Sequence, residues 1–161
     1  MIIAAVVVAA VVIAGLLFWK SCGAEQTAFS FDDLAKNGYL DGRSAEDIQN
    51  LVNKQVEEGM FNISINSVIT FENGKAEGNM RIENIEANRY YMTVALVLDD
   101  TGEEVYKSGG IKPGQFIESA PLSVALPKGN YEATAVFSAV DPNSLKEIGR
   151  AQAQVTLTVL N

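Results

Sequence analysis

The sequence predicts a mainly β protein: a transmembrane helix over residues 1–20, a spacer and short helical stem over 21–60, and a seven- to eight-stranded antiparallel β-sandwich over 61–161. Three observations predict it. Residues 1–19, "MIIAAVVVAAVVIAGLLFW", carry no charge. Apolar residues between Ile48 and Val56 recur at helical spacing. After Phe61 the period becomes two, with turn residues at regular intervals, as in a sandwich.

As a helix the leader spans about 28 Å, close to the roughly 30 Å hydrocarbon core of a bilayer. It has no polar stripe, which excludes a helix lying in the membrane surface. Trp19 and Lys20 form an interface pair, an amphipathic ring at headgroup level beside a cation that can snorkel. Three fates compete. A cleaved signal wants a basic start and a shorter apolar core, although Ser21, Gly23 and Ala24 are small enough for a peptidase. Lipidation at Cys22 wants small residues before it, where Trp19, Lys20 and Ser21 stand. A retained anchor fits best. Lys20 alone favours a cytoplasmic domain by the positive-inside rule, but the residues after it are acidic and the type of domain argues for the outside. Cys22 is the sole cysteine, so it makes no internal disulfide. It is an incidental thiol, an acylation site or a link between two copies.

Residues 21–43 have few apolar anchors and read as a spacer. Within it "SFDDLAKNG" suggests one helical turn, with Ser30 as N-cap, Asp33 at the box position and Gly38 as the stop. "RSAEDIQNLVNKQVEEGM" predicts the amphipathic stem helix over 44–58. Ser44 and Asp47 cap it, Gly59 ends it, and Ile48, Leu51, Val52 and Val56 form one stripe. That stripe packs on its own domain or docks a partner helix.

The strands follow in order. "FNISINSVITF" points Phe61, Ile63, Ile65, Ile69 and Phe71 one way and Asn62, Ser64, Asn66 and Thr70 the other. Asn73-Gly74 is a hairpin signal leading into "NMRIENI". "YYMTVALVLDD" is apolar on both faces, as a central strand is. "DDTGEE", with Gly102 free to adopt positive φ, closes a hairpin into "VYKSG". "QFIES" and "LSVAL" follow Pro113-Gly114, then "NYEATAVFSAV". The chain ends on "AQAQVTLTVL", with Ala151, Ala153, Val155, Leu157 and Val159 inward.

"LPKGNYEATAVF" resembles the tyrosine corner of immunoglobulin-like folds, with Gly129 at the turn and Tyr131 folding its hydroxyl back to the preceding backbone. Ala133 stands where antibody domains have a cysteine, so the likeness is to the disulfide-free, fibronectin-type sandwiches. Tyr131 and Gly129 are therefore structural. The chain also resembles a group of small, single-pass surface proteins of Gram-positive, anaerobic gut-type bacteria. The stretches that carry this are "IQNLVNKQVEEGMFNISIN", "GNMRIENI", "DDTGEEVYKSG", "PGQFIES" and "LPKGNYEATAVF". The resemblance implies an N-terminal membrane segment, a helical stem and an outward-facing sandwich, and it brings no chemistry.

Composition narrows function. The net charge is −8 with no basic stripe, against nucleic acid as a partner. There is no histidine, which removes the commonest general base and metal ligand. No nucleophile elbow, phosphate loop or dinucleotide fingerprint occurs. Asp99, Asp100, Glu103 and Glu104 cluster, but calcium needs six to eight converging oxygens and acids spread round a hairpin turn are ordinarily solvated. Asn62-Ile-Ser64 fits a glycosylation acceptor. Gln152, Gln154, Thr156 and Thr158 form an uncharged outer strand face that could accept a strand or a glycan, as could Asn62, Ser64 and Asn66. No catalytic residue, metal or cofactor is expected. The expected function is a membrane-tethered, non-enzymatic extracytoplasmic binding or assembly module, held by lipid through residues 1–20 and partnered by another protein, with homo-oligomers possible. The alternatives are a pilus-like filament subunit, which the break at Cys22-Gly23 and Ala5 in place of a glutamate disfavour, and a secreted binder.

Overall fold

The computed structural model describes residues 29–38 and 62–161. The predicted transmembrane helix, Trp19, Lys20, Cys22 and the stem helix over 44–58 lie outside the described residues. Within them all regular structure is strand, and no helix is long and apolar enough to cross a membrane.

The strands are β1 (Lys36–Asn37), β2 (Val68–Phe71), β3 (Glu77–Gly78), β4 (Ile82–Asn84) and β5 (Tyr91–Leu98). They continue with β6 (Glu104–Lys107), β7 (Gln115–Ile117), β8 (Ala120–Pro121), β9 (Gly129–Val140) and β10 (Glu147–Val159). A seven-stranded sheet has the order β6-β5-β9-β10-β2-β3-β8, and a three-stranded sheet has the order β1-β7-β4. Every strand pair is antiparallel except β10 with β2, which run parallel from Thr156 beside Val68 to Val159 beside Phe71. Beyond β8 the Ser123 N–H donates to the Val105 carbonyl at 2.8 Å. That bond ties one edge of the large sheet back to the other, so the sandwich is partly closed like a barrel.

There are more strands than the pattern predicts because two long ones are broken. β3 and β4 are interrupted at Arg81, whose φ of 50° lies in the left-handed region. β7 and β8 are interrupted opposite it, where the Arg81 N–H reaches the Glu118 carbonyl at 3.0 Å. The upper part of each broken strand joins the large sheet and the lower part the small one. "FNISINSVITF" splits likewise. Residues 62–66 bond to the neighbourhood of β4, with Asn66 N–H on Met80 O and Glu83 N–H on Ser64 O. From Ser67 the chain crosses to β10 as β2. "LSVAL" is not a strand: pairing stops at Pro121, which has no N–H to donate.

The spacer also differs. Residues 29–38 are no helical turn but an arm laid across both sheets. Phe31 bridges Gly110 in parallel, Gly110 N–H donates to Ser30 O at 2.6 Å, and Asp32 N–H donates to Gly110 O at 3.0 Å. The Asp32 carboxylate then accepts the Leu34 N–H, its carbonyl accepts the Ala35 N–H, and the reversed chain pairs with β7 as β1. Asp32, not Ser30, organises the segment. Gly109 and Gly110 permit it, because a Cβ on Gly109 would sit 2.6 Å from the Asp32 nitrogen and one on Gly110 within the Phe29 ring. The arm thereby covers strand edges that would otherwise invite aggregation.

The core is apolar and continuous. Ile69 and Phe71 from β2, Met92, Val94 and Leu96 from β5, Phe137 from β9 and Leu157 from β10 are all buried in it. β5 alternates strictly, its even residues buried and its odd ones half-buried. Its expected second apolar face is real but only half covered.

Candidate binding surface

The Gly129–Tyr131 turn positions the start of β9. Tyr131 packs against the core, and its hydroxyl donates to the Pro127 carbonyl at 2.9 Å. A Cβ on Gly129 would lie 3.4 Å from the Tyr131 ring, so glycine leaves the ring room to fold back. This fixes β9 and, through their shared register, β10.

On the outer face of the large sheet, β5, β9 and β10 present aligned rows. Ala95, Val136 and Gln152 are neighbours in one row, and Val97, Thr134 and Gln154 in the next. A chain of side-chain bonds crosses the second: Gln154 Nε2 donates to Thr134 Oγ1 at 3.0 Å, and that hydroxyl donates to Asp99 Oδ1 at 2.7 Å. Thr156 Oγ1 lies 3.3 Å from both Glu132 carboxylate oxygens. A cavity of about 370 Å³ opens on this face, floored by Ala95, Val97 and Val136 and rimmed by Glu104, Lys107, Glu147 and Arg150. The guanidinium of Arg150 grips Glu147 at 2.7 and 3.0 Å. That hydrogen bond, with help from Ser138, holds the Glu147 carboxyl below the usual range. Both carboxylate oxygens are thereby engaged by the one guanidinium.

The two polar faces singled out in the sequence are not joined. Gln152, Gln154, Thr156 and Thr158 belong to the large sheet. Asn62, Ser64 and Asn66 bond to the small one, where they serve structure. The Asn88 amide brackets Asn62, accepting its N–H and donating to its carbonyl, both at 2.8 Å. Asn84, fully buried, accepts from Asn88 and donates to the Tyr90 and Ile111 carbonyls. This network of buried amides satisfies its polar groups, and nothing in the apolar pattern announced it. Asp99 at the acidic hairpin turns to Thr134. Among the described residues no three acidic or cysteine side chains group closely enough to hold a metal ion.

A second site lies where the arm docks. Phe29 stacks on Tyr91 at 6.0 Å, and Phe31 meets Tyr91 edge-on at 5.1 Å. The Lys112 ammonium sits 4.3 Å over the Phe31 ring. Asp32 Oδ2 accepts the Gly109 N–H at 2.6 Å. Burial, and secondarily the Asp32 charge, push the Tyr106 phenol well above its ordinary pKa. The Gly109-Gly110 pair was the one sequence signal that could have revealed this docking.

No protein-family model, curated protein or solved structure matches the chain.

Proposed function

We propose that this chain is a membrane-tethered, non-enzymatic binding or assembly module that presents an immunoglobulin-like sandwich outside the cell. Support for the fold type comes from the Tyr131–Pro127 corner and from the parallel seat of β2 beside the last strand. Support for the tether is the uncharged leader ending in Trp19 and Lys20. The observation that carries the binding role is the outer face of β5, β9 and β10, where an apolar floor is ringed by polar groups. Fold alone names no activity, so the reading rests on that face.

Protease treatment of intact cells tests the topology. Digestion of the domain without lysis is the expected result, and protection until lysis refutes an outward orientation. Sizing after detergent extraction tests the assembly state. A small discrete particle is expected, whereas long sedimenting polymers identify a filament subunit.

A further inference from the structure

The tip that joins β9 to β10 holds apolar side chains out to solvent. Leu145 and Ile148 are 46% and 52% exposed. A single exposed aliphatic residue is ordinary, but each of these two occupies an irregular backbone position. Leu145 has a φ of 54°, a left-handed conformation unfavourable for a bulky side chain. Ile148 is the extra residue of a β-bulge between Glu147 and Gly149, and a bulge re-aims the side chain it carries. Glycine would take the left-handed position without strain. Neither aliphatic side chain packs in the core, so among the described residues nothing offsets the strain at Leu145. The tip ties its own backbone together. Asp141 N–H donates to Lys146 O and Leu145 N–H to Asp141 O, both at 2.9 Å, while the Asp141 carboxylate takes the Asn143 and Ser144 N–H groups.

Register places this tip in the molecule. Tyr91, the first residue of β5, lies beside Val140 of β9, which lies beside Glu147 of β10, and the tip projects past that row. The Phe29 ring stacks on Tyr91, and Phe31, with Lys112 over its ring, meets Tyr91 edge-on. The chain that leads back to Lys20 therefore joins the half of the sandwich that carries the tip. The stretch from Lys20 to Phe29 spans at most about 30 Å. Charge has the same polarity. Asp141, Lys146, Glu147 and Arg150 sum to zero, and Arg150 is bonded to Glu147. The hairpin at the far end of β5 carries Asp99, Asp100, Glu103 and Glu104, in a chain of net charge −8. From these features we infer that the β9–β10 tip rests on the lipid bilayer that holds the leader. Leu145 and Ile148 enter the boundary between headgroups and acyl chains, Lys146 snorkels to headgroup level, and the acidic hairpin faces away. Two aliphatic side chains would not hold a free domain to a membrane. The tether makes their contact intramolecular, so a weak contact suffices to set the orientation of the sandwich.

This inference rests on the proposed tether, and its test separates the two. The full chain with Cys22→Ser is reconstituted in phosphatidylcholine vesicles. A single nitroxide is then attached to the Leu145→Cys, Ile148→Cys and, on the acidic hairpin, Thr101→Cys variants in turn. Collision of the label with oxygen, which concentrates in lipid, is compared with collision with a water-soluble nickel chelate. The oxygen-to-nickel ratio in the first two variants should exceed that in the third by about fivefold. Flotation with the vesicles reads the tether independently. A chain that does not float removes the tether and this inference with it. A chain that floats but gives equal ratios in all three variants refutes the inference alone. Labels shielded from both reagents lie under protein, another segment or a second copy, and also refute it. Leu145→Gly relieves the left-handed strain, so it should leave the thermal midpoint unchanged or raised while the ratio at the Ile148→Cys label falls. A lowered midpoint would show that the Leu145 side chain serves the fold, and would overturn the inference.

Discussion

The two halves of β10 have one sequence pattern and two different fates. From Val155 to Val159 alternate residues are buried, and β9 and β2 flank the last four. Glu147 to Arg150 are all exposed, and from Ala151 to Gln154 the alternation continues with only half-buried alanines inward and, among the described residues, β9 as the neighbour. What differs is the company, since β2 leaves the sheet at Ser67. Side-chain periodicity reports which way a residue faces, but not whether a strand lies alongside.

The contrast can be broken most severely in the core beneath the sheet, opposite Ala151. Phe137→Ala empties a fully buried site on β9, and a loss of about 3–5 kcal/mol is expected in denaturant unfolding. Adjacent residues of β10 sharpen the comparison. Ala153→Pro removes an N–H that faces β9 and should cost about 3 kcal/mol, whereas Gln152→Pro removes one that faces away from β9 and should cost under about 1 kcal/mol. Equal losses from the two would show that the edge is occupied. Tyr131→Phe deletes the bond to Pro127 and should cost about 1 kcal/mol, leaving the packing of the ring intact.

The smallest expected effect is at the hairpin tip that joins β9 to the unclamped end. Asp141 Oδ1 accepts the Ser144 N–H at 2.7 Å and the Asn143 N–H at 3.0 Å. Those bonds, that of Ser144 first, hold its carboxyl below the ordinary value. A depressed folded-state pKa means that the contribution is present above the unfolded pKa and is lost as pH falls through the folded one. The Ser144 amide resonance should therefore shift in the acid range, with no change near neutrality. A titration at the unperturbed carboxylate value would remove the turn bonds as its cause.

Much of this could be read from residue order. The inward set Ile69, Phe71, Val155, Leu157 and Val159, the turn at Gly102 with φ of 71°, and the mainly β class all follow from alternation and turn chemistry. The arm did not, because its anchor is a distant glycine pair and a single carboxylate rather than any period in residues 29–38. The two broken strands were equally hidden. A left-handed residue such as Arg81 leaves the alternation intact while it redirects the pairing. The candidate surface was half visible: Gln152 and Gln154 were singled out, yet their separation from Asn62 and Asn66 depends on a crossing at Ser67 that no local signal marks.

Local chemistry along the chain sufficed for strand identity, facing direction and the folded-back tyrosine, since each depends on neighbours a few positions away. Which strands lie side by side, how far β2 runs along β10, and how residues 29–38 wrap both sheets depended on contacts between segments far apart in the chain. Main-chain hydrogen bonds are the same for every residue type, so a sequence cannot specify their partners until the side chains have packed.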